Sequence, residues 1–313
     1  MRRAVSSLAL LLALCPFAQA SPRLDLAGFQ DREGAITVQH GADTVDPYFA
    51  LQALLLAQRH GLDATEAAQR WIAWLLPRQK PDATFDRFCR SGAAWAPCKT
   101  ADADDSLLAL WMQLLESMPG GFKADPARAA SHAASGRALE RLFMPSWGVY
   151  HASPVYLHAL FMDNLEVWSR LPARSEAARA LERGIQSTFW DPASQRYRVT
   201  TQLAARGDAF YPDAVAQIYP LYLDFPAAPR ERSRHYRDWM RQHGARWLAQ
   251  GKDDFAWGLV AVVAWREGDR RATGCWMREA QALRRGPHWT VTDEVAYQVL
   301  EAKGAAPAAG ACA

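Results

Sequence analysis

The strongest constraint on the fold is a recurrence. Six stretches are apolar nearly all round, at 47–59, 105–118, 155–171, 213–225, 254–266 and 293–302, and each opens beside polar or acidic residues. Amphipathic stretches rich in Ala, Arg and Glu alternate with them, at 64–76, 126–143, 175–189, 230–248 and 270–283. The openings of the apolar set step by roughly 40–60 residues, the spacing of stacked supersecondary units. A helix that is hydrophobic on every side must be buried, whereas one with a polar face covers it. Six of the first kind and at least five of the second predict an all-α double ring, an (α/α)6 toroid of six inner and about six outer helices. The alternating run 35–38 predicts one short strand.

The chain opens Met1-Arg2-Arg3, passes through an apolar run at 8–14 and reaches Ala18-Gln19-Ala20. This is a charged, apolar and small-residue sequence in the order of a secretory leader, too short to span a membrane. Cleavage is expected after Ala20, which makes the product periplasmic or secreted. A single domain over 21–303 and a flexible tail over 304–313 are the expected organisation. Lys and Arg number 36 against 33 acids, and removal of Arg2 and Arg3 leaves 34 against 33, a net charge of +1. So balanced a charge provides no electrostatic footprint for nucleic acid or an anionic membrane. In an oxidising compartment Cys89 and Cys98, nine apart with Gly92 and Pro97 between them, are candidates for a local disulfide. Zinc is the weaker reading, because the spacing is not C-x-x-C and no histidines cluster nearby, so no metal is expected. Cys275 and Cys312 stay unassigned.

The densest chemistry lies at Asp102-Ala103-Asp104-Asp105-Ser106, three carboxylates at the mouth of an apolar helix. Asp and Ser are ordinary N-caps, so one of the three needs no further explanation. Upstream, Arg87 is placed to pair with Asp102 or to hold an acidic sugar. Asp46, Asp213 and Asp254 bring a carboxylate to the openings of other inner helices, as do Asp293 and Glu294. Each taken singly is also a plausible cap, and only their convergence argues for a site. Thirteen tryptophans are many, and sugars stack on such rings, although rings also fill cores. Trp95, Trp147, Tyr150, Tyr211 and Trp289 fall in loops beside helix openings and are the candidate sugar platforms. Asp163, Asn164 and Glu166 lie well inside the third inner helix and are read first as structural hydrogen-bonding groups.

The six-fold alternation, the segment 82–106 and Asp163-Asn164 with Glu166 resemble the six-hairpin glycosidase superfamily, which includes cellulase-type glycoside hydrolases and related polysaccharide lyases. The resemblance implies a substrate cleft where the inner helices begin, and a poly- or oligosaccharide as partner. Glycoside hydrolysis ordinarily uses one protonated and one ionised carboxyl. Asp104 or Asp105 is expected on one side of an inverting pair, with Asp46, Asp213 or Asp254 opposite; the residues themselves do not choose. Two alternatives stand beside this reading. One is a non-catalytic sugar-binding or assembly subunit of an exopolysaccharide or envelope system. The other is a lyase using Tyr211 or Tyr156 with His151, Asn164 and Arg87. No G-x-S-x-G elbow or H-E-x-x-H helix supports other hydrolytic chemistry.

Overall fold

The computed structural model describes residues 21–101, 103–202, 207–226, 231–252 and 254–312. The expected leader and Asp102 lie outside the described residues. Six helices form the inner ring: α1 (Pro47–Arg59), α3 (Asp104–Ser117), α5 (Phe161–Arg170), α7 (Val215–Tyr222), α9 (Gly258–Arg266) and α11 (Val291–Ala302). Each packs on the next, and α11 packs on α1, which closes the ring. Five outer helices lie against it: α2 (Thr65–Leu75), α4 (Pro126–Arg141), α6 (Glu176–Phe189), α8 (Arg232–Gln250) and α10 (Arg270–Leu283). The fold is the all-α toroid that the alternation predicts.

The partition follows burial. Every residue of α7 is buried, Pro220 included, and α9 is buried from Gly258 to Ala264. Outer helices keep only a stripe inside; in α4 the buried residues are Ser131, Ser135, Ala138 and Leu139. Each fully buried Leu or Val of the ring contributes about 1.5–3 kcal/mol, so the apolar inner faces dominate the stability of the ring. Residues from 21 to 46 strap α11 to α1. Gln298 on α11 accepts from the Asp25 N–H at 3.0 Å, and the Val291 N–H donates to the Val38 carbonyl at 2.8 Å. The expected strand at 35–38 reduces to an isolated bridge between Gln30 and Ile36, with the Val38 N–H donating to the Thr44 carbonyl at 3.1 Å.

The connections are asymmetric. Links from inner to outer helices are short, at 60–64, 118–125, 171–175, 223–231 and 267–269, whereas several links from outer to inner helices are long. At that second end β1 (Thr44–Val45), β2 (Asp86–Ser91) and β3 (Ala94–Thr100) form an antiparallel sheet, and Cys89 is bonded to Cys98 across its hairpin. Two further hairpins follow, β4 (Phe143–Met144) with β5 (Val149–Tyr150), and β6 (Trp190–Asp191) with β7 (Arg196–Tyr197). The long links all deliver the chain to the N-termini of inner helices, so that end of the toroid has the material to build a site. The residues from 304 run back along α10, where Cys312 is bonded to Cys275 and the Ala308 N–H donates to the Gly274 carbonyl at 2.8 Å.

Two inner helices begin later than their sequence patterns suggest. Residues 155–160 stay outside α5: Pro154 precedes them, and Ser153 Oγ accepts the N–H groups of Val155 and Tyr156 at 3.2 and 3.0 Å, a local turn that competes with helix. Val155 is consequently exposed. Asp254 stands four residues ahead of Gly258, the first residue of α9, and accepts from the Phe255 N–H at 2.8 Å.

Candidate active site

The rim acids divide by environment. Asp46 caps α1, accepting from the Tyr48 N–H at 3.1 Å, and pairs with Arg87 Nε at 2.7 Å. The Arg87 guanidinium, expected near Asp102 or an acidic sugar, is therefore engaged by Asp46. Asp104 is the first residue of α3, and its N–H donates to the Ala152 carbonyl at 2.6 Å. Its carboxyl is half-buried, and this desolvation pushes its pKa up to about 6 against the pull of Lys80, which itself pairs with Asp86 at 2.9 Å. Asp213 sits in a wide turn ahead of α7 and accepts from the Ala209 N–H at 3.1 Å. Gly207 passes so close that a Cβ there would lie 2.4 Å from Asp213 Oδ2. Asp293 is turned inward as a capping-box residue and accepts from the Gly258 N–H at 2.7 Å. Glu294 pairs with Arg284.

Asp105 corrects an expectation. One residue on from Asp104, it is rotated into the ring and is fully buried, so its carboxyl cannot meet a sugar. It joins Asp163 and Glu166 on α5, both also buried, in an acidic cluster between adjacent inner helices. Glu166 Oε1 accepts from Tyr219 Oη at 2.5 Å, Gln52 Nε2 at 2.8 Å and Tyr48 Oη at 2.9 Å. One carboxyl thus ties α5 to α1 and α7. Burial drives the proton affinity of all three acids up, and neighbouring carboxylates add to it for Asp105 and Asp163. Asp163 is raised to about 8, and even three donors leave Glu166 above the ordinary range. The Ser106 N–H and the Asp163 carboxyl are the hydrogen-bonding neighbours of the Asp105 carboxyl. Asp163 holds a proton at neutral pH, because ionising it in the buried interior beside Glu166 would carry the desolvation penalty and a like-charge repulsion.

The sequence singled out Asp163 and Glu166 without making them a centre, and it missed Tyr48, Gln52 and Tyr219. The available signal was Tyr48 and Gln52, two polar groups one turn apart in an otherwise apolar helix. Asn164 is structural as expected, bridging the Tyr150 backbone by accepting from its N–H at 2.7 Å and donating to its carbonyl at 3.1 Å. Of the residues expected for a lyase, Asn164 is engaged by the Tyr150 backbone and Arg87 by Asp46.

The aromatic candidates separate as well. Trp95 and Trp289 are buried and cannot serve as platforms. Trp95 donates Nε1–H to Asp31 at 2.8 Å under the guanidinium of Arg90, and Trp289 donates to Glu294 at 2.9 Å while stacking on Trp276. Tyr150 is half-buried against Phe143. Trp147 is 47% exposed in the turn between β4 and β5, and Tyr211 is 54% exposed, stacked on Trp257 at 5.1 Å. Beside Trp147 opens a cavity of about 790 Å³, lined by Asp213, the β6–β7 hairpin and the residues that follow it. It lies away from the buried acids. We take it as the better guide to ligand binding, because Asp105 and Glu166 are closed to solvent whereas Asp213 is not. Among the described residues no group of three His, Cys, Asp or Glu side chains is arranged to hold a metal ion.

No family model matches the chain, and no curated protein does. Solved structures do match. A novel alpha-amylase from Clostridium perfringens superposes with a TM-score of 0.61 over 90% of this chain and 95% of that one, at 9% identity. The likeness is in the fold, the toroid of inner and outer helices described above. A GH63 mannosylglycerate hydrolase from Thermus thermophilus, in complex with glucose, matches with a TM-score of 0.52 over 88% of this chain and 97% of its own, at 15% identity. At such identities the likeness establishes the toroid, and the chemistry must be argued from the residues of this chain.

Proposed function

We propose that this chain is an exported glycoside hydrolase that cleaves a poly- or oligosaccharide with inversion, with Asp104 as general acid and Asp213 as general base. The observation that carries the reading is Asp104: a half-buried carboxyl at the loop-rich end of the ring, with its pKa lifted to about 6. Such a group keeps its proton up to about pH 6 and can deliver it to a glycosidic oxygen. Asp213 enters the same end from a ring position separated from α3 by α5 alone, and it lines the open cavity. An inverting pair needs carboxyls roughly 6.5–9.5 Å apart to admit a water. Asp46, engaged by Arg87, is the weaker choice for either role. The glycosidase descriptions of the structural neighbours agree with the reaction class. Export accords with the leader pattern and with two disulfides.

The test is release of reducing ends from a panel of neutral and acidic polysaccharides, with the unsaturated product of a lyase monitored in the same samples. Turnover that disappears in Asp104→Asn and in Asp213→Asn while sugar binding persists supports the pair. Full activity in either variant refutes the assignment. Binding without turnover of any substrate would instead establish the non-catalytic sugar-binding protein.

A further inference from the structure

We infer that the cavity beside Trp147 is a subsite for an anionic sugar residue, held by Arg196 and Arg198. The inference rests on the carbohydrate reading above and specifies its substrate class. Tyr197 points into the core, 3% exposed and stacked on Phe161 at 4.2 Å. Side chains alternate along an extended segment, so Arg196 and Arg198 lie on the face opposite the Tyr197 ring, and all three residues contribute to the cavity wall. Two guanidinium groups are thereby set on one face, with their Cα atoms about 6.6 Å apart along the segment.

Neither guanidinium is taken up by a described carboxylate. The cavity also contains two acids, Asp191, which stands opposite Arg196 in the β6–β7 pair, and Asp213, and the carboxyls of both accept hydrogen bonds from their own local turns. Asp191 accepts from the Ala193 N–H at 3.1 Å and from Ser194 Oγ at 2.7 Å within its hairpin, and Asp213 accepts from the Ala209 N–H. Like charges on neighbouring positions of one face repel. A carboxylate or sulfate between the forks would offset that repulsion while accepting their hydrogen bonds in the planar geometry that arginine favours. Trp147 supplies the exposed ring against which the pyranose of such a residue stacks. A neutral glucan would engage the ring and leave both cations unmatched.

The experiment measures binding to the mature chain carrying Asp104→Asn, so that turnover does not intervene. Tryptophan fluorescence and calorimetry would compare a hexuronate oligosaccharide, its carboxyl-reduced neutral counterpart and a sulfated oligosaccharide, at low and at high salt. At least one anionic oligomer is expected to bind about tenfold more tightly than the neutral one, with the preference shrinking as salt screens it. Arg196→Gln with Arg198→Gln should remove that preference and leave neutral binding unchanged, whereas Trp147→Ala should weaken both classes. Tighter binding of the uronate identifies a carboxylate substituent, and of the sulfated oligomer a sulfate; either supports the subsite. Equal affinity for the anionic and neutral oligomers in the unsubstituted cavity, or a preference that survives loss of both arginines, would overturn it. Because the readout is binding, a preference for anions in a chain that hydrolyses nothing would sink the hydrolase reading and leave the subsite standing.

Discussion

Replacing Asp163 by Asn separates shape from charge in the buried cluster. The folded chain holds the Asp163 proton up to about pH 8, whereas an unfolded chain releases it near pH 3.9. Between those values the native state binds one proton more than the unfolded state, and stability must fall as pH rises. The slope is about 1.4 kcal/mol per pH unit for each proton so retained. The stabilising contribution is complete below roughly pH 4 and is spent by about pH 8. For an isolated group that amounts to about 4 kcal/mol lost at pH 7, an upper bound here because Asp105 and Asp163 influence one another.

Asparagine is close in shape and does not titrate. The variant should therefore match the parent near pH 4 and be the more stable of the two near pH 8. Urea midpoints at constant m-value, taken across pH 4–8, measure the effect directly. In thermal melts the parent should lose about 3 °C more per pH unit than the variant. Parallel curves, or a parent more stable than the variant at pH 8, would refute the protonated cluster and with it the claim that burial outweighs the donors around these acids.

Three other outcomes follow from the structure. With Asp104 as the acid, activity should fall about tenfold per pH unit above pH 6, and Asp104→Asn should lower turnover by about 10²–10⁴ with the fold intact; a rate flat through pH 8 would exclude this role. Opening the Cys275–Cys312 bridge, a separation of 37 residues, should destabilise by about 4 kcal/mol, against about 2.5 for Cys89–Cys98 with its separation of 9, as read from denaturant midpoints of the two double-serine variants. Gly184→Ala should destabilise by about 1–3 kcal/mol, because its new Cβ would lie 2.0 Å from the Gly148 carbonyl oxygen where α6 meets the β4–β5 turn; an unchanged melting temperature would show that the turn gives way.

The double ring was legible because burial on all sides and burial on one side leave different patterns in a helix. That same feature hid the phase of the inner helices. An amphipathic helix shows which of two consecutive acids faces inward, but α3 is buried on nearly every side from Asp105 to Leu115, leaving Asp104 and Asp105 indistinguishable in the sequence. Trp289 misled for a related reason: its loop position suggested exposure, but residues 284–290 are short enough to be drawn against Trp276. The β2–β3 hairpin lacked a clear apolar alternation and includes Pro97, so only its cysteines were recognised as a pair. The role of Glu166 depends on Tyr48, Gln52 and Tyr219, which reach it from sequence separations of 118, 114 and 53 residues.

The burial that obscured Asp105 also separates two titrations. The charges acting on Asp104 come from Lys80, Asp82 and Asp86, on the side of the β2–β3 hairpin, with its own desolvation as the larger influence. Asp105, adjacent in sequence, answers first to its own burial, then to Asp163 and Glu166, with Asp104 the weakest of its neighbours. As long as the buried cluster keeps its protons it presents little charge to the rim, and the proton affinity of Asp104 is set locally. Asp163→Asn should therefore flatten the dependence of stability on pH without moving the pH optimum of turnover, whereas Lys80→Gln should raise the upper limb of the optimum and leave the stability slope unchanged. An optimum that follows Asp163 would mean that the buried acids ionise within the working range and act on the rim through Asp105.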